Sequence, residues 1–128
     1  MNDTPHPSHP FPRTWWIHAG RLLGGCYPGD LDPAKTEQKL SALFRAGVRS
    51  ILCLQPTDER GRGGRPFTAY DEAWRAIGAQ AGELVDWQRH PIADMGVPTQ
   101  EQMRAILGAI DRAEGIVYVH CWGGHGRT

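Results

Sequence analysis

The stretch Ile116-Val117-Tyr118-Val119-His120-Cys121-Trp122-Gly123-Gly124-His125-Gly126-Arg127-Thr128 divides into two halves of opposite character. The first half is a short apolar run, rich in β-branched and aromatic residues, and reads as a buried strand. Such runs, apolar on both faces, belong to the interior of a parallel sheet. The second half has glycine at 123, 124 and 126 and reads as a loop leaving the carboxyl end of that strand. Ligands of open α/β sheets bind beyond the carboxyl ends of the strands. With the alternation of strands and helices read along the rest of the chain, this stretch sets the expectation of an α/β fold with a central, mostly parallel sheet flanked by helices and a ligand site at Cys121.

The loop has the composition of an anion cradle. Its glycines permit positive φ and close backbone approach, so successive N–H groups can converge on one point. Arg127 adds a planar fork of donors that matches two oxygens of a phosphate. Cys121 stands at the mouth of the cradle, where a positive potential lowers a thiol pKa from about 8.5 towards roughly 3.5–7.5. A thiolate there is a nucleophile at neutral pH. The Thr128 hydroxyl is placed to hydrogen-bond that thiolate and ease its departure, and His120 to orient the loop from behind.

The pattern of Cys121 and Arg127 six positions apart, preceded by His120 and followed by Thr128, resembles the signature of the cysteine-dependent protein tyrosine phosphatase superfamily. The glycine-rich variant between them is most similar to compact dual-specificity phosphatases, the kinase-associated type among them. The resemblance implies a phosphoprotein phosphatase that hydrolyses phosphotyrosine, phosphoserine or phosphothreonine monoesters through a phosphocysteine intermediate. Cys121 is then the nucleophile, and Trp122, Gly123, Gly124, His125, Gly126 and Arg127 bind the phosphoryl group. It also implies a general acid on an upstream loop. Pro91-Ile92-Ala93-Asp94-Met95-Gly96-Val97-Pro98 supplies Asp94, 27 residues before Cys121. The alternative for this stretch is a turn-forming Asp with no catalytic role. Asp86 is a weaker candidate for the acid, because it falls inside an expected strand.

Working outward, residues 1–13 are proline-rich and read as a flexible arm, and residues 14–128 as one catalytic domain. Trp15–His18 and Arg21–Gly25 read as two short strands, with Arg13 and Arg21 as surface or structural charges. Asp32-Pro33 starts a helix with an acidic cap and a proline at its first position. Leu40, Leu43 and Phe44 form its apolar face, and Gly47 follows its end. Val48–Leu54 reads as a buried strand. The arginines at 60, 62 and 65 lie in a polar loop, either solvated or docking an acidic substrate. Tyr70, Ala73, Trp74 and Ile77 keep helical spacing as core contacts. Leu84–Ile92 reads as the strand feeding the Asp94 loop. Thr99 and Gln102 form a capping-box pattern, and Met103, Ile106, Leu107 and Ile110 are the expected core face of the helix it opens.

Length and charge set further bounds. The 128 residues carry 14 basic and 14 acidic side chains, for a formal net charge of zero. That balance offers no electrostatic case for nucleic acid or an anionic membrane. No apolar run is long enough to span a bilayer, and the amino terminus lacks a signal-peptide pattern. Three cysteines, widely spaced and odd in number, read as thiols in a reducing compartment, which places the protein in the cytoplasm. No residues have metal-ligand spacing, and the thiolate route needs neither metal nor cofactor. A phosphorylated protein is the expected partner, with no obligate partner evident.

In the resembled family a helix begins at the arginine and continues beyond the threonine, its amino end facing the phosphate. Nothing follows Thr128 here. The expectation is a fragment lacking its C-terminal helices, weakly active or inactive by itself. Two other readings remain. One is a phosphoprotein-binding module without turnover. The other is another thiol enzyme, an arsenate reductase or sulfurtransferase, with Cys53 or Cys26 as a redox partner of Cys121.

Overall fold

The computed structural model of the chain describes residues 9–56, 69–92 and 97–121. Their order is β1 (Thr14–His18), β2 (Leu22–Gly25), α1 (Pro33–Arg45), β3 (Val48–Cys53), α2 (Asp71–Ala81), β4 (Asp86–Arg89), α3 (Gln100–Arg112) and β5 (Ile116–His120). Local chemistry sets most of these bounds. Asp32 has extended backbone and its carboxylate accepts from the Ala34 N–H at 2.9 Å, so α1 starts at the proline that follows. Gly47, at φ +101°, then turns the chain into β3. At α3 the capping box is complete: the Thr99 hydroxyl accepts from the Gln102 N–H at 3.0 Å, and the Gln102 side chain accepts from the Thr99 N–H at 2.8 Å.

The strands form one sheet in the order β1-β2-β5-β3-β4. Only β1 is antiparallel; β2, β5, β3 and β4 run parallel to one another. The apolar run read first from the sequence is thus the middle strand, with a partner on each side. Its register defines a straight row across the sheet, Thr14, Gly25, His120, Cys53, Arg89. The next position along each chain is Arg13, Cys26, Cys121, Leu54 and His90, on the carboxyl edge of the parallel strands.

Side chains alternate between the two faces of a strand, which divides the core in two. Tyr118 and Ile51 face α1 and α2, where they pack with Leu40, Leu43, Tyr70 and Trp74. Val117, Val119, Leu52 and Leu54 face α3 and pack with Ile106 and Ala109. Trp74 is fully buried, and its indole N–H donates to the Asp86 carbonyl at 3.0 Å. Burying one side chain of that size contributes about 3 kcal/mol before ordering costs, and the hydrogen bond fixes α2 against β4.

Several boundaries differ from those the periodicity predicts. Tyr70 is the N-cap of α2 and not part of the helix, which begins at Asp71. Strand β4 spans four residues and excludes Leu84, which is 96% exposed. The four apolar residues of α3 do not share one fate either. Ile106 is buried, whereas Met103 and Leu107 are 41% and 56% exposed. At 100° per residue that set spans a wider arc than one sheet covers, and Ala109 takes the place in the contact. Phe11, from the segment read as an arm, lies half-buried against the core with its ring 6.1 Å from Tyr118. Among the described residues no helix is long and apolar enough to cross a membrane.

Candidate active site

Cys121 is the first residue after β5 and is 2% exposed. It sits at the carboxyl edge of the middle strand, packed on the α3 face among Val119, Leu54 and Ile92. The backbone beneath it is firmly held, since the carbonyl of His120 accepts from the Leu54 N–H at 2.9 Å. The residue type placed there by the sequence pattern thus emerges from the middle strand of the sheet, paired on both sides.

His120 faces the other way, into the α1–α2 core, and is fully buried. Tyr27, Tyr70 and Tyr118 surround it, with ring centroids 6.2, 5.6 and 5.9 Å away. Its Nδ1 lies 3.1 Å from the Cys121 carbonyl oxygen, and its Nε2 meets the Tyr70 hydroxyl. A carbonyl only accepts, so Nδ1 carries the proton and Nε2 accepts from Tyr70. Burial pushes the Tyr70 phenol well above its ordinary value of 10, and the nearby Cys53 adds to the effect. The phenol therefore stays protonated and remains a donor. The result is a relay of two hydrogen bonds from α2 to the first peptide of the Cys121 loop.

The three cysteines are buried thiols grouped at the same edge, after β2, at the end of β3 and after β5. Cys53 pairs with His120 and so shares its face of the sheet, whereas Cys121 shares the opposite face with Leu54. The sheet itself separates Cys53 from Cys121, which removes it as a disulfide partner in this fold. Cys26 lies beside Arg13, its N–H donating to the Arg13 carbonyl at 3.2 Å. Burial pushes its thiol up, against the lowering influence of Lys39 and Arg13.

Of the remaining residues singled out in the sequence, Trp122, Gly123, Gly124, His125, Gly126, Arg127 and Thr128 lie outside the described residues. So do Asp94 and the arginines at 60, 62 and 65. Both flanks of the Asp94 segment are in place. The chain continues past β4 beside β3, with the Ile92 N–H donating to the Leu54 carbonyl at 2.9 Å. The Gln102 side chain accepts from the Thr99 N–H and donates to the Pro91 carbonyl at 3.0 Å, so one amide ties the two ends together. Asp86 is exposed and stands at the amino end of β4, three positions before Arg89. It stands at the opposite end of the strands from Cys121, too far along the sheet to serve it. Tyr70 is the residue that sequence reasoning assigned only to packing. The signal was its hydroxyl, which a buried tyrosine must satisfy somewhere.

Residues 12–128 match the family model described as Swiss Army Knife protein, DSP-PTPase phosphatase domain. None of the curated proteins compared is similar in sequence. Among solved structures, a mutant form of Tk-PTP superposes with a TM-score of 0.65 at 25% identity, covering 91% of this chain and 65% of that one. A candidate phosphatase from Shewanella putrefaciens CN-32 gives 0.55 at 27% identity, covering 82% of this chain and 56% of that one. Kinase-associated phosphatase, crystallised with its catalytic-site cysteine changed to serine, shares the fold at 0.54 and 19% identity, covering 83% and 58%. The chain therefore spans less than two thirds of the length of these structures. With residues 12–128 matched and Cys121 at the carboxyl edge of the middle strand, the chain belongs to the Swiss Army Knife family of dual-specificity and tyrosine phosphatase domains.

Proposed function

We propose that this protein hydrolyses the phosphate monoesters of phosphoproteins through a covalent phosphocysteine on Cys121. The observation that carries the reading is the placement of Cys121. It leaves the interior strand of a parallel sheet at the edge where such sheets bind ligands, directly ahead of a glycine-rich, arginine-containing segment. In the first step the Cys121 thiolate attacks phosphorus in line, forming the S–P bond as the P–O bond to the substrate breaks. Asp94 gives its proton to the departing oxygen. The loop N–H groups and the Arg127 guanidinium stabilise charge on the equatorial oxygens. In the second step the Asp94 carboxylate takes a proton from water. The resulting hydroxide attacks phosphorus, the S–P bond breaks and inorganic phosphate leaves. Thr128 donates to the returning thiolate, and His120 holds the first peptide of the loop.

Cys121 comes only 120 residues into the chain, as in the compact dual-specificity type, whose shallower pocket accepts phosphotyrosine as well as phosphoserine and phosphothreonine. The absence of lysine between Cys121 and Arg127 favours a protein substrate over a phosphoinositide. The balanced charge favours no nucleic-acid or anionic-membrane partner, and three widely spaced thiols fit the reducing cytoplasm. The test is phosphate release from an aryl phosphate and from phosphopeptides by the full-length protein. Turnover should vanish in Cys121→Ser. Turnover that survives that substitution, or a folded protein with none, would overturn the proposal.

A further inference from the structure

The indole N–H of Trp87 is a buried donor with no regular hydrogen-bond partner among the described residues. Buried tryptophan N–H groups normally find an acceptor, because leaving one unmatched is costly. Register places the side chain. Trp87 pairs with Ile51 across β3 and β4, and Ile51 pairs with Tyr118 across β3 and β5. The indole therefore lies on the α1–α2 face, the face that His120 occupies one row further on. The Arg89 guanidinium stands 5.2 Å from the indole centroid and donates to the Gln55 carbonyl, which holds one side of the ring.

Tyr70 meets the indole edge to face, with ring centroids 6.1 Å apart and planes at 85°. The largest influences on the Tyr70 phenol are burial, which raises its pKa, the Cys53 thiol, which raises it further, and the Trp87 N–H, whose attraction to the hydroxyl oxygen lowers it. Polarity along this chain of groups is settled from both ends. An indole N–H only donates, and a peptide carbonyl only accepts. With the Trp87 proton directed at the Tyr70 oxygen, the Tyr70 proton goes to His120 Nε2, and the proton on His120 Nδ1 goes to the Cys121 carbonyl 3.1 Å away. Each bond in such a chain polarises the next. A peptide is planar and trans, so fixing the Cys121 carbonyl also fixes the direction of the N–H across the same peptide bond. That N–H is the first backbone donor after the nucleophile.

We propose that Trp87 is a positioning residue for Cys121: its N–H, directed at the Tyr70 hydroxyl, starts a relay that runs from β4 through Tyr70 and His120 to the peptide that follows the nucleophile. Trp87 touches no reacting atom and acts only through those two side chains. Strand β4 also leads towards the Asp94 segment, so the relay ties the strand of the proposed acid to the strand of the nucleophile. For its effect on turnover the inference rests on the phosphatase reading above.

The experiment replaces Trp87 in the full-length protein with benzothienylalanine, which keeps the shape of the indole and puts sulfur where the N–H stood. Two readouts are taken well below the melting temperature: kcat on an aryl phosphate, and the rate at which iodoacetamide alkylates Cys121. Loss of the donor should lower kcat about three- to tenfold and change the alkylation rate while the protein stays folded. Trp87→Phe, which also removes the donor, should move both readouts in the same direction. In a Tyr70→Phe background the isosteric replacement should alter neither readout further, because the relay is already broken. A side chain that only packs would lower the melt and leave both readouts of the folded protein at the parent's values. Parental kcat and alkylation rate in the isosteric variant, or full additivity with Tyr70→Phe, would overturn the relay. Absence of Cys121-dependent turnover in the parent would instead overturn the phosphatase reading, and the alkylation rates would still decide the relay.

Discussion

The hydroxyl of Tyr70, at the N-cap of α2, donates to Nε2 of His120, the last residue of β5, across fifty positions of sequence. His120 passes the constraint on through Nδ1 to the carbonyl of Cys121. Tyr70→Phe keeps the ring and its edge-to-face contacts with Tyr27 and Trp87 but removes the donor. A buried acceptor that loses its donor costs about 1–3 kcal/mol. The expected outcome is a lower denaturation midpoint with an unchanged m-value. The rate of Cys121 alkylation should also change, because the loop peptide is held less firmly. Equal stability of mutant and parent would show that the bond does not hold the loop.

Gly25 stands beside His120 in the row across the sheet, and its lack of a side chain is a packing requirement. A Cβ there would lie 2.5 Å from the Tyr118 hydroxyl oxygen, 2.8 Å from the Thr14 methyl and 2.9 Å from the Arg13 carbonyl oxygen. The Tyr118 hydroxyl is itself committed, donating to the Cys26 carbonyl at 2.5 Å. Gly25→Ala should therefore destabilise by about 1–3 kcal/mol through overpacking. It should also lower kcat, since the displaced groups adjoin Cys121. Gly82→Ala is the informative contrast. Gly82 has φ +69° at the end of α2, and a Cβ added there would meet nothing within 4 Å. Its substitution should cost about 1 kcal/mol of stability with kcat retained.

The parts of this fold that were legible in the sequence are those written in local chemistry. Asp32-Pro33, Gly47 and the Thr99–Gln102 pair fix helix ends through neighbours a few residues away, and the structure places those ends within a residue or two of the expectation. The apolar run before Cys121 announced an interior strand because both of its faces had to be buried. What was not legible depends on partners far along the chain. Nothing near Tyr70 distinguishes a packing tyrosine from one that orients His120. Nothing near Arg13 shows that β1 runs antiparallel and so delivers that residue to the edge where β5 ends. The separation of Cys53 from Cys121 follows from inter-strand register, which spacing alone does not encode.

Alkaline pH should unfold this domain through its buried tyrosines. Burial holds the phenols of Tyr70 and Tyr118 well above 10, and burial likewise raises the Cys26 thiol from 9.0. Below about pH 8 these groups are protonated in both states and add no pH dependence. Above it the unfolded chain releases protons that the folded chain keeps, so stability falls as pH rises towards the folded values. Each tyrosine contributes a slope of about 1.4 kcal/mol per pH unit once its unfolded form ionises. Urea melts between pH 8 and 11 should show the decline, and Tyr70→Phe should make it shallower by about one proton. A flat profile across that range would contradict the burial of both phenols.

Gln102 joins a structural role to the proposed chemistry of Asp94. Its carbonyl oxygen accepts from the Thr99 N–H and its amide nitrogen donates to the Pro91 carbonyl, so one side chain spans both ends of the segment that holds Asp94. Gln102→Glu keeps the oxygen that completes the capping box but replaces the donor to Pro91 with a second acceptor. The helix should then survive, with a loss of about 1 kcal/mol at most, while the amino end of the segment is released. If Asp94 is the general acid, kcat on substrates with poor leaving groups should fall more than on activated aryl phosphates, because only the former need the proton. Asp94→Asn should show the same dependence on leaving group at greater depth, about a hundredfold or more on the poor leaving group. Adding Gln102→Glu to Asp94→Asn should then cost little further activity, since the positioning residue acts through the acid. Additive losses in the double mutant would separate the two residues and return Gln102 to a purely structural role.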